Sequence, residues 1–184
     1  GILNADSELG FPLFNAAERS YQLLSQVAGR SGRAAKKGEV LLQSWQPMHP
    51  VFQYVQKHDF EGFYEWEINN RRSLYYPPFT KLMVWHLKGL DGTTTANAAQ
   101  KLKEVLIQRW LEWGGSHEAV LGPSPALIMK QHKRWCWDLM LKLPSNWQTK
   151  QIEKLQQIVM TDFESGFKDS SRNDLRIAID IDLK

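Results

Sequence analysis

The sequence is nearly devoid of cysteine: Cys136 is the only one in 184 residues. A lone thiol forms no internal disulfide and excludes every zinc site built from several cysteines. A reducing compartment is expected. No apolar run approaches the ~20 residues needed to span a bilayer, and the first residues lack the basic and apolar regions of a secretory signal. No membrane partner is expected. The histidines, His49, His58, His86, His117 and His132, include no pair at i, i+4 spacing, so no metal site is read from them. No G-x-x-x-x-G-K-[ST] phosphate loop exists; the nearest glycine run, 29–38, lacks Gly-Lys-Ser/Thr. An Asp-Glu-x-His magnesium motif is missing too. There is no internal repeat and no low-complexity tract.

What is present is ordinary globular composition, with 23% charged and 42% hydrophobic residues. Lys and Arg total 23 against 20 Asp and Glu, a net charge of +3. This permits a nucleic-acid partner without requiring one. Charges balance over residues 1–72, so the whole excess of +3 falls in 73–184. Two groups of cations lie free of acids: Arg30, Arg33, Lys36 and Lys37, and Lys130, Lys133 and Arg134. Eight tryptophans are a further excess.

The chain opens on Gly1-Ile2-Leu3-Asn4-Ala5-Asp6, which reads as a buried strand meeting a loop, so a piece of a longer protein is expected. Asn15-Ala16-Ala17-Glu18 has the residues of a capping box, and Ala17, Tyr21, Leu24 and Ala28 follow at helical spacing, with Gly29 as the stop. Residues 30–38 read as a basic loop and 39–45 as a strand. Helices are expected at 51–57 and 60–72, the second with Phe60, Phe63, Tyr64 and Ile68 on one side. Pro77-Pro78 breaks any helix. The domain division is set at 1–72, a linker at 73–78, and 79–184.

Beyond the linker the periodicities are clearer. A strand is expected at 81–88. A helix at about 94–113 carries Ala99, Leu102, Leu106, Trp110 and Trp113 on one face, and Gly114-Gly115 stops it. Residues 119–130 are strand-like but interrupted by Gly122, Pro123 and Pro125. Trp135, Trp137, Leu139, Leu141 and Leu143 recur at period two over 134–143. A helix at about 148–164 carries Ile152, Leu155, Val159 and Phe163. A last strand, 176–183, alternates Ile177, Ile179, Ile181 and Leu183 with Arg176, Ala178, Asp180 and Asp182. The order β-α-β-β-α-β matches the ferredoxin-like split motif. Helices on one face of four strands would leave the other face free for a ligand.

Chemistry concentrates in Gln26-Val27-Ala28-Gly29-Arg30-Ser31-Gly32-Arg33. Two permanently charged guanidinium groups three residues apart, on a glycine-containing segment, suit charge stabilisation on a transferring phosphoryl group. Gln26, one turn earlier, could orient water or meet a partner lobe. The plain alternative is a solvated basic turn.

The pattern Q-x-x-G-R-x-x-R resembles motif VI of superfamily 2 helicases. The run from Leu3-Asn4-Ala5-Asp6 through Ala17-Glu18-Arg19 to Arg33 resembles motifs V and VI of the PriA family of replication-restart helicases. Further matches follow in order: Gly38-Glu39-Val40, His49-Pro50, Arg71-Arg72, Tyr76-Pro77-Pro78-Phe79, Val120 to Ala126, Arg134-Trp135-Cys136-Trp137, and Ile179-Asp180-Ile181-Asp182. The resemblance implies that Arg30 and Arg33 face a nucleotide γ-phosphate with Gln26 beside them, and that Asp6 helps couple nucleotide to DNA. It implies a remnant of the second RecA-like lobe at 1–72, followed by the family's C-terminal domain. The parent it implies is a bacterial, cytoplasmic, ATP-dependent 3′–5′ DNA helicase that recognises stalled or branched forks and assembles a primosome. Single-stranded or forked DNA, single-strand-binding protein and other primosome proteins are the implied partners. ATP, Mg²⁺ and upstream zinc belong to that parent. Half of an active site is present, so the 184 residues alone are expected neither to hydrolyse ATP nor to unwind DNA.

A DNA-facing cluster is read from Lys130, Lys133, Arg134, Trp135 and Trp137, because cations track phosphates and rings stack bases at about 1–3 kcal/mol each. The competing reading makes the rings core, since they share strand parity with Leu139, Leu141 and Leu143. Asp180 and Asp182 on one strand face could hold Mg²⁺; the plainer readings are a solvent face or pairing with a nearby arginine. Cys136, among apolar residues, reads as inert. From another class altogether, the chain could be a free-standing ferredoxin-like RNA- or protein-binding domain with no helicase parent.

Overall fold

A computed structural model describes residues 1–30, 39–167 and 174–181. The chain divides into two compact units, Gly1–Leu74 and Tyr75–Lys184.

The first unit holds three helices, α1 (Ala16–Arg30), α2 (Pro50–Lys57) and α3 (Phe60–Ser73). Pro50 opens α2, where its missing amide proton costs nothing. Asp59 caps α3 by accepting the Gly62 amide at 2.8 Å. Tyr21 and Leu24 of α1, Val51, Phe52 and Val55 of α2, and Phe63 of α3 form the core with Ala5. Tyr21 stacks on Phe63 with centroids 4.2 Å apart. Gly29 does not stop α1, which continues through it to Arg30.

Two expectations for this unit are corrected. The strands expected at 1–5 and 39–45 reduce, among the described residues, to one parallel bridge, Ile2 with Leu42. Asn4, at φ 53°, breaks the extended run there, although the Ala5 amide still donates to the Gln43 carbonyl at 2.9 Å. The apolar side expected of α3 also differs: Phe63 is buried, but Phe60 and Tyr64 are exposed. The inward row is Phe63, Glu67 and Arg71, spaced four apart. Arg71 draws Glu67 inward, donating to its carboxylate at 2.7 Å and to that of Glu18 at 2.8 Å.

The second unit is a four-stranded sheet with two helices. Strands β1 (Thr80–Gly89), β2 (Val120–Gln131), β3 (Arg134–Pro144) and β4 (Arg176–Ile181) lie in the order β2-β3-β1-β4, every neighbouring pair antiparallel. Helices α4 (Gly92–Glu112) and α5 (Thr149–Gly166) follow β1 and β3. Trp85 stands opposite Leu139 on one side and Ile179 on the other. Met83, Trp85, Leu87, Leu139, Leu141 and Leu143 join Leu102 and Leu106 of α4 and Leu155 and Val159 of α5 in one core. Alternation at period two, met by stripes at helical period, dictates this arrangement. Asp91 caps α4 through the Thr94 amide at 2.7 Å.

The opposite sheet face is covered only in part: Leu82, Val84 and Cys136 are buried there, whereas Arg176, Ala178 and Asp180 are exposed. Among the described residues no helix is long and apolar enough to cross a membrane.

Candidate nucleic-acid interface

The β2–β3 hairpin closes on a two-residue turn, His132-Lys133, with φ 50° and 65°. Both values lie in the left-handed region that tight hairpins require. The turn puts Lys133 at the tip, exposed. Lys130 and Trp135 are cross-strand partners, and the Lys130 ammonium lies 4.9 Å from the Trp135 ring centre. On the α4 side the indole rests against Gly92, where an added Cβ would come within 3.2 Å of the ring. Trp135 is therefore held between the hairpin and the start of α4. Trp137 packs half-buried against the main core. Arg134 donates from Nη1 to the Asp174 carbonyl.

The sheet register gathers two more cations that sequence reasoning missed. Lys88 pairs with Cys136 on one side and Arg176 on the other, and its ammonium donates to Gln131 Oε1 at 2.8 Å. Lys88, Arg134 and Arg176 thus share one face at the hairpin end, with Lys130 on the other face and Lys133 at the tip. The alternation in each strand carries the signal for their side, but only the pairing register brings them together. No acidic residue occurs between Glu118 and Asp138. The hairpin segment 119–137 thus carries its cations without an acid of its own.

Deeper on the same face, His86 bridges two carboxylates. Its Nδ1 lies 2.7 Å from Asp138 Oδ1 and its Nε2 3.3 Å from Asp180 Oδ2. The Asp138 hydrogen bond, reinforced by both negative charges against the cost of burial, raises the imidazole pKa above its ordinary 6.5. Asp180 is exposed, as the solvent-face reading has it, and faces His86 rather than an arginine; Asp182 lies outside the described residues. Cys136 is buried, its thiol 3.6 Å from the Arg134 carbonyl.

In the first unit, Gln26 is exposed on α1 and Arg30 ends that helix. Arg33 lies outside the described residues. Asp6 binds its own surroundings: Oδ1 accepts from Ser44 Oγ at 2.5 Å and Oδ2 from the Trp45 amide at 2.7 Å. The Ser44 bond, helped by backbone amides, lowers the Asp6 pKa. Asp6 thereby fixes the 44–46 turn.

Residues 72–183 match the family model described as Primosomal protein N C-terminal domain. The chain is 38% identical over 148 residues to replication restart protein PriA of Synechocystis sp., covering 79% of this chain and 17% of that protein. It is 31% identical over 181 residues to the Bacillus subtilis protein of the same name, covering 98% of this chain and 21% of that one. With Chlamydia pneumoniae PriA it shares 41% over 105 residues, 57% of this chain and 14% of the relative. The chain thus spans only a small part of the length of these relatives.

Proposed function

The chain belongs to the PriA family of replication restart proteins, and on that premise we propose that it is the C-terminal, DNA- and partner-binding part of an ATP-dependent 3′–5′ helicase acting in primosome assembly. Stalled or branched forks, single-strand-binding protein and other primosome proteins are its partners in this reading, in the bacterial cytoplasm. The observation that carries it is the cationic end of the sheet: Lys88, Lys130, Lys133, Arg134 and Arg176 around one hairpin. Phosphates bound there would position the strand without reading its sequence. The strand order β2-β3-β1-β4 in a β-α-β-β-α-β chain supports a ferredoxin-like domain. The parallel Ile2–Leu42 bridge before and after α1 supports a RecA-like remnant in the first unit.

The residues present do not fit a zinc ion, since the single cysteine is buried and bonded to backbone. For ATP they offer Gln26 and Arg30 on consecutive turns of α1, with Arg33 beyond them. These residues would hold charge at a γ-phosphate; the phosphate cradle and Mg²⁺ ligands would come from elsewhere in a longer protein.

The test is fluorescence anisotropy with a labelled single strand over a range of salt. Each phosphate neutralised contributes about −0.7 to the slope of log K against log salt. Replacing Lys130→Gln and Lys133→Gln together should make the slope shallower by about 1.4. Affinity and slope both unchanged in that variant would remove the hairpin from the interface.

A further inference from the structure

The β2–β3 register leaves a stretch of chain unaccounted for. Pro125 pairs with Trp137 and Lys130 with Trp135, so residues 126–129 stand opposite Cys136 alone. The excess must leave the ladder as a bulge. Its side chains are consecutive and apolar: Leu127, Ile128 and Met129 are 57%, 60% and 52% exposed. Isolated exposed apolar residues are ordinary on a protein surface, whereas three in a row on a bulged edge strand are not.

The surroundings select the partner. The bulge runs straight into Lys130, His132 and Lys133, and no acid occurs in the sequence between Glu118 and Asp138. Lys130 is steadied on the Trp135 ring at the base of the bulge. An apolar surface rimmed by cations fits a polyanion with an apolar face, which a nucleic acid has in its bases. Aliphatic side chains lack the π-face that lets rings stack on splayed single-stranded bases. Leu, Ile and Met act instead as wedges against base-pair steps. Inside a continuous duplex a wedge must first unstack a step. At a junction between single and double strand, the last base pair already presents a bare face.

We propose that Leu127, Ile128 and Met129 cap the exposed terminal base pair at a single-strand/double-strand DNA junction, with Lys130 and Lys133 on the phosphates of the strand that leaves it. This rests on the DNA-binding reading above and adds the residues that would meet the junction. The bulge supplies preference for a junction; the lysines supply affinity for any strand.

The experiment uses the whole 184-residue chain and three labelled probes: a forked duplex, a single strand, and a duplex closed at both ends by loops. A 2-aminopurine occupies the terminal pair of the fork. The chain should bind the fork more tightly than the other two by about tenfold, equivalent to about 1.4 kcal/mol, and change the 2-aminopurine emission. The variant Leu127→Ser/Ile128→Ser/Met129→Ser should keep its single-strand affinity and salt slope but lose the fork preference and the emission change. Ile128→Ser alone, with an unchanged thermal melt, serves if the triple variant unfolds, and should lower the preference in the same direction. Fork preference retained in the variant overturns the cap while leaving the DNA-binding reading intact. A concentration-dependent dimer that the variant abolishes also overturns it, by assigning the bulge to a second copy. Absence of binding to all three probes overturns both readings together.

Discussion

Among the described residues, the sheet unit, Tyr75–Lys184, buries sixteen in one apolar cluster, drawn from three strands and both long helices. The helical unit, Gly1–Leu74, buries seven in its cluster among the described residues, and ties α3 to α1 through Arg71, which pairs with Glu18 across the helices and with Glu67 within α3. The first is held by non-directional burial spread over many side chains. In the second, a few aromatic stacks and one charged crossing carry a larger share. The difference predicts which kind of damage each tolerates.

The largest effect is expected where the sheet core loses volume. Leu141, fully buried opposite Met83, should cost about 2–5 kcal/mol as Leu141→Ala, read as a lower denaturant midpoint of the sheet unit. A loss below about 1 kcal/mol would show a core that collapses around the gap and would blunt the contrast. Next comes Arg71→Ala. It strands the Glu67 carboxylate, whose side chain is only 11% exposed, and removes the cation from the Phe14 ring, 5.2 Å away. Breaking a largely buried pair in this way costs about 3 kcal/mol. Loss of the cooperative melt of residues 1–74, with the sheet transition unmoved, is the expected signature. Arg71→Met with undiminished stability would instead assign the crossing to packing.

The smallest effect is a pH dependence in the sheet unit. The folded pKa of His86 is raised, so its pairs with Asp138 and Asp180 stabilise fully below the ordinary value of 6.5. That contribution is lost as pH rises through the folded pKa. The melting temperature should therefore fall across that window, and His86→Gln should flatten the fall. A fall of the same size in the variant would locate the titration elsewhere.

The sheet unit was the more legible of the two in sequence. Leu139, Leu141 and Leu143, and Ile152, Leu155, Val159 and Phe163, carry periods that only one arrangement buries. In the first unit the information is not local. Nothing in Phe60–Tyr64 says that Arg71 will pull Glu67 inward and leave two rings in solvent. At the candidate interface, Lys130 to Arg134 stood out because they adjoin in sequence. Lys88 and Arg176 could not, because they meet only through the register of β1 with β4. That Leu127-Ile128-Met129, inside the strand-like stretch 119–130, leave the ladder was hidden for an equally physical reason. An apolar run has the same letters whether it lies in a ladder or is pushed out of one.

The hairpin tip has a consequence of its own. His132 and Lys133 hold φ values of 50° and 65° that cost an ordinary L-residue about 1–2 kcal/mol each. Asn-Gly would close the same turn with little strain, but would carry no cation there. The tip thus exchanges conformational ease for a charge whose backbone is already fixed. A lysine mounted in this way gives up less freedom when a phosphate arrives, and its contribution to binding is larger by that saved entropy.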